Sequence, residues 1–304
     1  MLGSLEDSED LVQETFLRAW RGRASFSPRE ASSFRAWLYR IATNACLDVL
    51  RKRPRRILPP QVAPAGDPAA PPPPPADLPW LQPYPDRLLE PIAPAGDEPG
   101  AVVVARETIE LAFLAAIQHL PPRQRAVLIL RDVLGWSAKE TALLLEASVG
   151  SVNSALQRAR ATLRDRLPER RTEWAPSSRP SEGERELLRR YVEAHERADA
   201  DALAELMRED ARLVMPPHPT WYAGREAILI AMRQGFDPEF GQLRTFVAGA
   251  NMQPAAAHYL REPGESGYRP LALDVLRLEG GSVAEITSFV SPELFPAFGL
   301  PPTL

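Results

Sequence analysis

The sequence predicts a multidomain chain: two all-α segments joined by a proline-rich linker, followed by an α+β domain. Three observations carry that prediction. Charge is segregated along the chain, proline is concentrated in one stretch, and apolar spacing changes from helical to alternating in the last third. The 304 residues suffice for two or three small domains, each with its own core. A formal net charge of −4 argues against a nucleic-acid partner only until the chain is divided. Residues 1–17 hold five acids and no base, and residues 18–57 hold eleven Lys and Arg against two acids. Residues 123–171 hold ten bases against five acids, and residues 182–304 hold nineteen acids against twelve Arg. That pattern fits a basic half that meets phosphates and an acidic half with another task.

The elements follow in order. Residues 7–23 read as an amphipathic helix, with Leu11, Phe16, Leu17 and Trp20 near helical spacing. Residues 34–52 read as a second, with Phe34, Trp37, Leu38, Ile41, Ala45 and Leu50 on or near one face. Fifteen of the 33 prolines then fall between Pro59 and Pro99, so this stretch is expected as an extended, semi-rigid tether. Trp80 and Tyr84 within it suggest either a docking strip for a groove or a loosely packed linker. Helices are expected over residues 107–119 and 123–133, split by Pro121 and Pro122. Ser137 and Glu140 form a capping box before a helix over residues 138–145, and Ser148 caps another over residues 149–167. The last of these places Val149, Val152, Leu156, Ala159 and Leu163 on one stripe. Ser151, Ser154, Gln157, Arg158, Arg160 and Arg164 lie largely off it. Helix, short turn and polar, Arg-rich second helix describe a helix-turn-helix.

A break at residues 174–181 precedes the acidic part. Helices are expected at residues 184–198, 201–207 and 225–234, and strands at 211–216, 243–252, 255–261, 271–278 and 283–290, an α+β order. One cysteine, Cys46, and four histidines exclude a disulfide framework and a Cys-based zinc site, and no spacing marks a metal or a Ser-His-Asp triad. No apolar run reaches the roughly 18 residues of a membrane span, so no membrane role is expected. The N-terminus is acidic rather than signal-like, and the reading is cytoplasmic.

Three stretches resemble sigma-70-type RNA polymerase sigma factors of the extracytoplasmic-function group. The run from Asp10 through Gln13, Glu14 and Phe16 to Trp20 resembles the polymerase-binding helix of region 2, and Phe34–Asn44 the promoter-melting helix. The run Leu120–Val127, together with Ser148–Leu163, is similar to region 4. The stretch after residue 183, with Met215-Pro216-Pro217 and Trp221–Arg225, resembles the SnoaL-like cone. The domains are then 1–57 (region 2, lacking its opening helix), 58–105 (linker), 106–171 (region 4), 172–182 (linker) and 183–304 (SnoaL-like).

The resemblance implies core RNA polymerase as partner, through its β′ clamp helices and β flap, and promoter DNA. Asp10, Gln13 and Glu14 would meet the clamp. Phe34, Trp37, Asn44 and the loop over residues 25–33 would serve an extruded −10 base, with Arg51, Lys52, Arg53, Arg55 and Arg56 on phosphates. Ser151, Ser154, Gln157, Arg158 and Arg160 would meet the −35 element. In the SnoaL-like part Tyr191, Met215, His218, Trp221, Asn251, Asp274 and Phe289 are candidates for a ligand pocket, with His195 and His258 as further polar candidates. No cofactor and no catalytic residue is assigned. The expected function is promoter recognition, with the last domain regulating in cis. The alternatives are a SnoaL-type enzyme fused to a DNA-targeting half, and a DNA-binding repressor without polymerase contact. Two departures from the family pattern stand out. Met1-Leu2-Gly3-Ser4 aligns inside the first domain, which favours a translation start further upstream. Glu146 occupies a turn position where glycine is frequent, which calls for a tolerated left-handed residue or a slightly different turn.

Overall fold

Ser4 starts the first helix: its hydroxyl accepts the Asp7 amide, and α1 (Leu5–Arg21) runs on to a cap at Gly22. The computed structural model describes residues 1–26, 34–89, 110–167 and 181–304. These divide into two compact units, Met1–Arg56 with Glu107–Arg171, and Ile57–Arg106 with Thr172–Leu304.

In the first unit, α1 packs on α2 (Phe34–Lys52) through Leu2, Leu11 and Ala45, flanked by Val49 and Leu50. The remaining helices are α3 (Leu111–Ile117), α4 (Pro122–Leu128), α5 (Ala138–Leu144) and α6 (Val149–Arg166). Pro122 sits in the first turn of α4, where its missing N–H costs nothing. The helix expected over residues 123–133 is α4 followed by a π-helical stretch, Ile129–Val133. The capping box of Ser137 and Glu140 is present, with Glu140 N to Ser137 Oγ at 3.1 Å and the return bond at 2.8 Å. Glu146 has φ +51°, the left-handed residue that the turn between α5 and α6 requires. On α6 the buried stripe is Val152, Ala155, Leu156, Ala159 and Leu163; Val149, expected on it, is exposed at the first turn.

Regions 2 and 4, read from the sequence as separate modules, share a core in this unit. Leu47 of α2 is buried among Phe113, Ile117, Ala126, Leu130 and Leu156, and Tyr39 stacks on Trp136 with ring centroids 5.5 Å apart. Arg125, 3% exposed, closes the junction. Its guanidinium donates to the Met1 carbonyl at 2.8 Å, to Gln118 Oε1 at 2.9 Å and to the Gln118 and Leu120 carbonyls. The reason is that α2 carries apolar groups on two faces, one turned to α1 and one to the helix-turn-helix.

The second unit holds α7 (Glu182–Glu196), α8 (Ala200–Leu206), α9 (Arg225–Gly235) and one six-stranded sheet. Its strands are β1 (Met207–Val214), β2 (Trp221–Ala223), β3 (Gln242–Ala250), β4 (Gln253–Arg261), β5 (Arg269–Glu279) and β6 (Ser282–Phe289). The order is β2-β1-β6-β5-β4-β3, antiparallel except for the parallel pair β1–β6. Leu187, Leu188, Tyr191, Leu203, Ile228, Ala256, Leu276 and Ile286 form the core between helices and sheet. Strand β2 was not anticipated; three residues are too short to show alternation.

The proline-rich stretch is not a free tether. Over residues 57–89 it is held along this second unit, with Leu81 1% and Trp80 9% exposed. Prolines lack a donor but keep their carbonyls, and the sheet domain supplies donors to this segment. Trp221 Nε1 donates to Ala63 O at 3.0 Å, Gln234 Nε2 to Pro68 O at 3.0 Å, and His218 Nδ1 lies 2.7 Å from Pro73 O. In return Gly66 N and Ala76 N donate to the carbonyls of Trp221 and Pro217. Gly66 lies so close that a Cβ there would stand 2.7 Å from Thr220 Oγ1. Further on, Tyr84 and Asn251 exchange two bonds, Tyr84 N to Asn251 Oδ1 at 2.9 Å and Asn251 N to Tyr84 O at 2.8 Å.

Candidate functional site

Helix α1 turns one face outward. Asp10 and Gln13 are exposed, as are Val12, Phe16, Leu17 and Trp20, the last 68%. Phe16, Leu17 and Trp20 belong to the expected amphipathic stripe, but the residues of α1 that are buried are Leu5, Leu11, Thr15 and Ala19. The stripe is therefore a surface, apolar at its centre and rimmed by polar groups, of the kind that marks a protein partner. Glu14 is half-buried and bound to Arg18, Nε to Oε1 at 2.7 Å.

At the start of α2, Phe34 is exposed and stacks with Phe26 and Trp37, centroids 5.6 and 5.7 Å away. Trp37 is 7% exposed, so it supports Phe34 and Phe26 rather than offering its own face. Asn44 is exposed on the same helix. Of the loop over residues 25–33, all beyond Phe26 lies outside the described residues. The basic run after α2 is partly committed within the unit. Arg53 and Arg56 both bind Asp7, and Arg51 pairs with Asp48 at 3.1 Å, while Lys52 stays exposed. Burial would raise the Asp7 carboxyl, but hydrogen bonds and charge from Arg56 and Arg53 hold it below its usual value.

The outer face of α6 presents Ser151, Ser154, Gln157 and Arg158, all exposed. Arg160, expected with them on phosphate, is turned to Asp132 in a bidentate pair at 2.7 and 2.9 Å. The planar guanidinium matches a carboxylate fork, and Asp132 at the end of the π-helical stretch provides it.

In the second unit the expected pocket residues separate into two groups. His218, Trp221 and Asn251 bind the proline-rich segment. Met215 packs at the margin of the core, and Phe289 is buried opposite Leu273 on β5. Tyr191 and Asp274 meet inside. Tyr191 Oη donates to Asp274 Oδ2 at 2.6 Å, and His258 Nε2 lies 2.9 Å from the same oxygen. His258 Nδ1 is 3.0 Å from Thr245 Oγ1, and His195 Nδ1 is 2.9 Å from the Tyr191 carbonyl. The imidazoles of His195 and His258 stack with centroids 4.5 Å apart. Asp274 Oδ1 is buried with no hydrogen bond of ordinary length, and Ser288, its register partner on β6, also faces the carboxylate.

Burial drives the titration of this cluster. It pushes His195 down to about 3, aided by the neighbouring His258, and lifts the Tyr191 hydroxyl well above its ordinary value, aided by Asp274. Burial alone would raise Asp274 too, but the charge and hydrogen bond of His258, the charge of His195 and a hydrogen bond from Ser288 hold its carboxyl well below the usual range. His195 is the cluster's outermost member. It floors a cleft of about 550 Å³ rimmed by Glu196, Arg197, Phe236, Gln242, Arg244 and Tyr268. None of these rim residues was legible beforehand, since they come from a helix end, a loop and a strand start far apart in the chain.

Comparison with known proteins agrees with this architecture. Residues 1–56 match the Sigma-70 region 2 family model, residues 110–163 Sigma-70 region 4, and residues 188–286 the SnoaL-like domain. The ECF RNA polymerase sigma factor SigG of Mycobacterium tuberculosis is 42% identical over all of this chain and 80% of its own length. SigW of Bacillus subtilis, also an ECF RNA polymerase sigma factor, is 31% identical over 55% of this chain and 79% of its own. The crystal structure of Mycobacterium tuberculosis SigJ superposes with a TM-score of 0.60 at 20% identity, covering 99% of this chain and 93% of that one, and so shows the shared fold. With a relative of that identity spanning the whole chain, and all three family signatures in the same order, the protein belongs to the extracytoplasmic-function group of sigma-70 family RNA polymerase sigma factors.

Proposed function

We propose that this sigma factor docks core RNA polymerase through the outward face of α1, reads the −35 element with α6, and is regulated in cis by its SnoaL-like domain. The observation that carries the reading is on α6. Beyond its first turn the apolar stripe is buried, while Ser151, Ser154, Gln157 and Arg158 stand together on the open side. Gln and Arg there suit adenine and guanine edges in a major groove, and serines suit phosphates. On α1, Asp10 and Gln13 flank Phe16, Leu17 and Trp20, which gives the polymerase an apolar centre as well as charge. Phe34 and Phe26, backed by Trp37, form the stacking platform for an unpaired −10 base, with Asn44 in the middle and Lys52 at the far end of the same helix. Its place of action is the cell interior, where the polymerase is. Among the described residues, no helix is long and apolar enough to cross a membrane.

Regulation is assigned to the SnoaL-like domain because that domain holds the segment linking regions 2 and 4 in the chain. The domain is read as regulatory rather than catalytic. In-vitro transcription with core polymerase and a promoter library tests both parts. Gln157→Ala is expected to relax the preferred −35 sequence at one position, and deletion of residues 174–304 to change output from a fixed promoter. An unchanged sequence preference in the Gln157 variant sinks the α6 assignment, and an unchanged output after deletion sinks the cis-regulatory one.

A further inference from the structure

We propose that the SnoaL-like domain binds one divalent first-row transition-metal ion, held by His195, His258 and Asp274 beneath the cleft. One ligand atom from each residue lies within 4.8 Å of the other two, and all three residues are buried. Two imidazoles and one carboxylate are a donor set for zinc or ferrous iron rather than for magnesium or calcium, which take oxygen alone.

Four further features fit a metal better than a hydrogen-bonded network. First, each imidazole is tied through Nδ1, His195 by the Tyr191 carbonyl and His258 by the Thr245 hydroxyl, which turns both Nε2 atoms toward the Asp274 carboxylate side, that of His258 to 2.9 Å from Oδ2. Metal-ligating histidines are oriented in this way by a partner on the other ring nitrogen. Second, the carboxylate is itself supported, with Tyr191 Oη donating to Asp274 Oδ2. Third, Asp274 Oδ1 is buried with no hydrogen bond of ordinary length, Ser288 across the strand pair being the further group that holds the carboxylate. Fourth, there is a path in: His195 floors the 550 Å³ cleft, so an ion can enter and a fourth ligand can reach it from that side. The ligands come from α7, β4 and β5, whose packing the domain's core fixes, so the site is assembled by the fold and not by a local motif. That is why no spacing in the sequence announces it.

The test uses the full chain, freed of metal with a chelator and titrated with Co²⁺, followed by competition with Zn²⁺. The expected result is one equivalent of Co²⁺ with the visible d–d absorption of an imidazole-coordinated ion, abolished by one equivalent of Zn²⁺. His195→Gln and Asp274→Asn are expected to lose the band. Tyr191→Phe should weaken binding about 10- to 100-fold while keeping the spectrum, as loss of an outer partner does. His119→Gln and His218→Gln, the chain's other two histidines, should leave both unchanged. Circular dichroism in chelator checks that each variant is folded; should Asp274→Asn fail to fold, His195→Gln, at the cleft, decides. No stoichiometric binding by the wild type, or an unaltered band in His195→Gln, overturns the proposal.

Discussion

His195 shows how burial becomes a pH dependence. Its neighbours are Tyr191, His258, Asp274 and the edge of Phe236, and its folded value of about 3 lies below the roughly 6.5 of an unfolded histidine. Folding therefore excludes a proton. The associated stability is complete above pH 6.5 and is lost as pH falls toward 3, by at most about 1.4 kcal/mol per pH unit. Asp274 adds to the loss in the same direction, lower still, as pH falls through its depressed value. Hydrogen exchange of the β4 and β5 amides, measured in chelator, should quicken steadily from pH 6.5 to 4.5 beyond the intrinsic rate change, and His195→Gln should flatten that trend. A trend as steep in the variant refutes the assignment. Arg125 makes a second residue-level case. It is buried with its guanidinium on three carbonyls and a side-chain amide, and burial lowers its value to about 10. Arg125→Ala strands those acceptors and should destabilise the helical unit by about 2–4 kcal/mol in urea titrations. The candidates visible in the sequence were residue types, and type alone did not say which would meet. Asp274 and Tyr191 do meet, whereas His218, Trp221 and Asn251 serve the proline-rich segment, because sheet register decides such neighbours.

Among the elements, α1 and α6 divide their residues between core and surface in opposite ways. α6 buries the stripe its periodicity announces, Val149 in the first turn excepted, and capping at Ser148 fixes where it starts. α1 buries Leu5, Leu11, Thr15 and Ala19 and leaves Phe16, Leu17 and Trp20 outside, a conflict between periodicity and packing that the proposed polymerase contact would resolve. Trp20→Ala and Phe16→Ala should accordingly leave unfolding free energy within about 0.5 kcal/mol while weakening core-polymerase binding at least tenfold in a pull-down titration. Equal loss of stability would show that the face is core after all. Helix limits were read to within a few residues because caps, prolines and apolar periods agree there. The α+β class was equally readable, and the strands β3 to β6 fell near their expected places. Less accessible were the π-helical end of α4 and the sharing of a core by regions 2 and 4. The first depends on tertiary packing, and the second on α2 having apolar residues on two faces when only one was needed to stabilise it.

For the chain as a whole, the composition that stood out is proline, and its role differs from the expected one. A stretch short of donors was read as a spacer; its carbonyls and its few aromatic and aliphatic groups instead bind it to the SnoaL-like domain. Leu81→Ala should loosen this strap, since burial of that side chain contributes on the order of 2–3 kcal/mol, and trypsin should then cut at Arg87 several-fold faster. Cleavage at the wild-type rate would mean the segment is held elsewhere. The docking also sets an order in time. The residues that receive the strap, from Pro217 to Met252, are translated up to some 160 residues after its end at Leu89. At bacterial synthesis rates that is a delay of about 10–30 s. During it regions 2 and 4 can be complete while the segment between them is still undocked, so each newly made chain passes through a stage in which that segment is unheld.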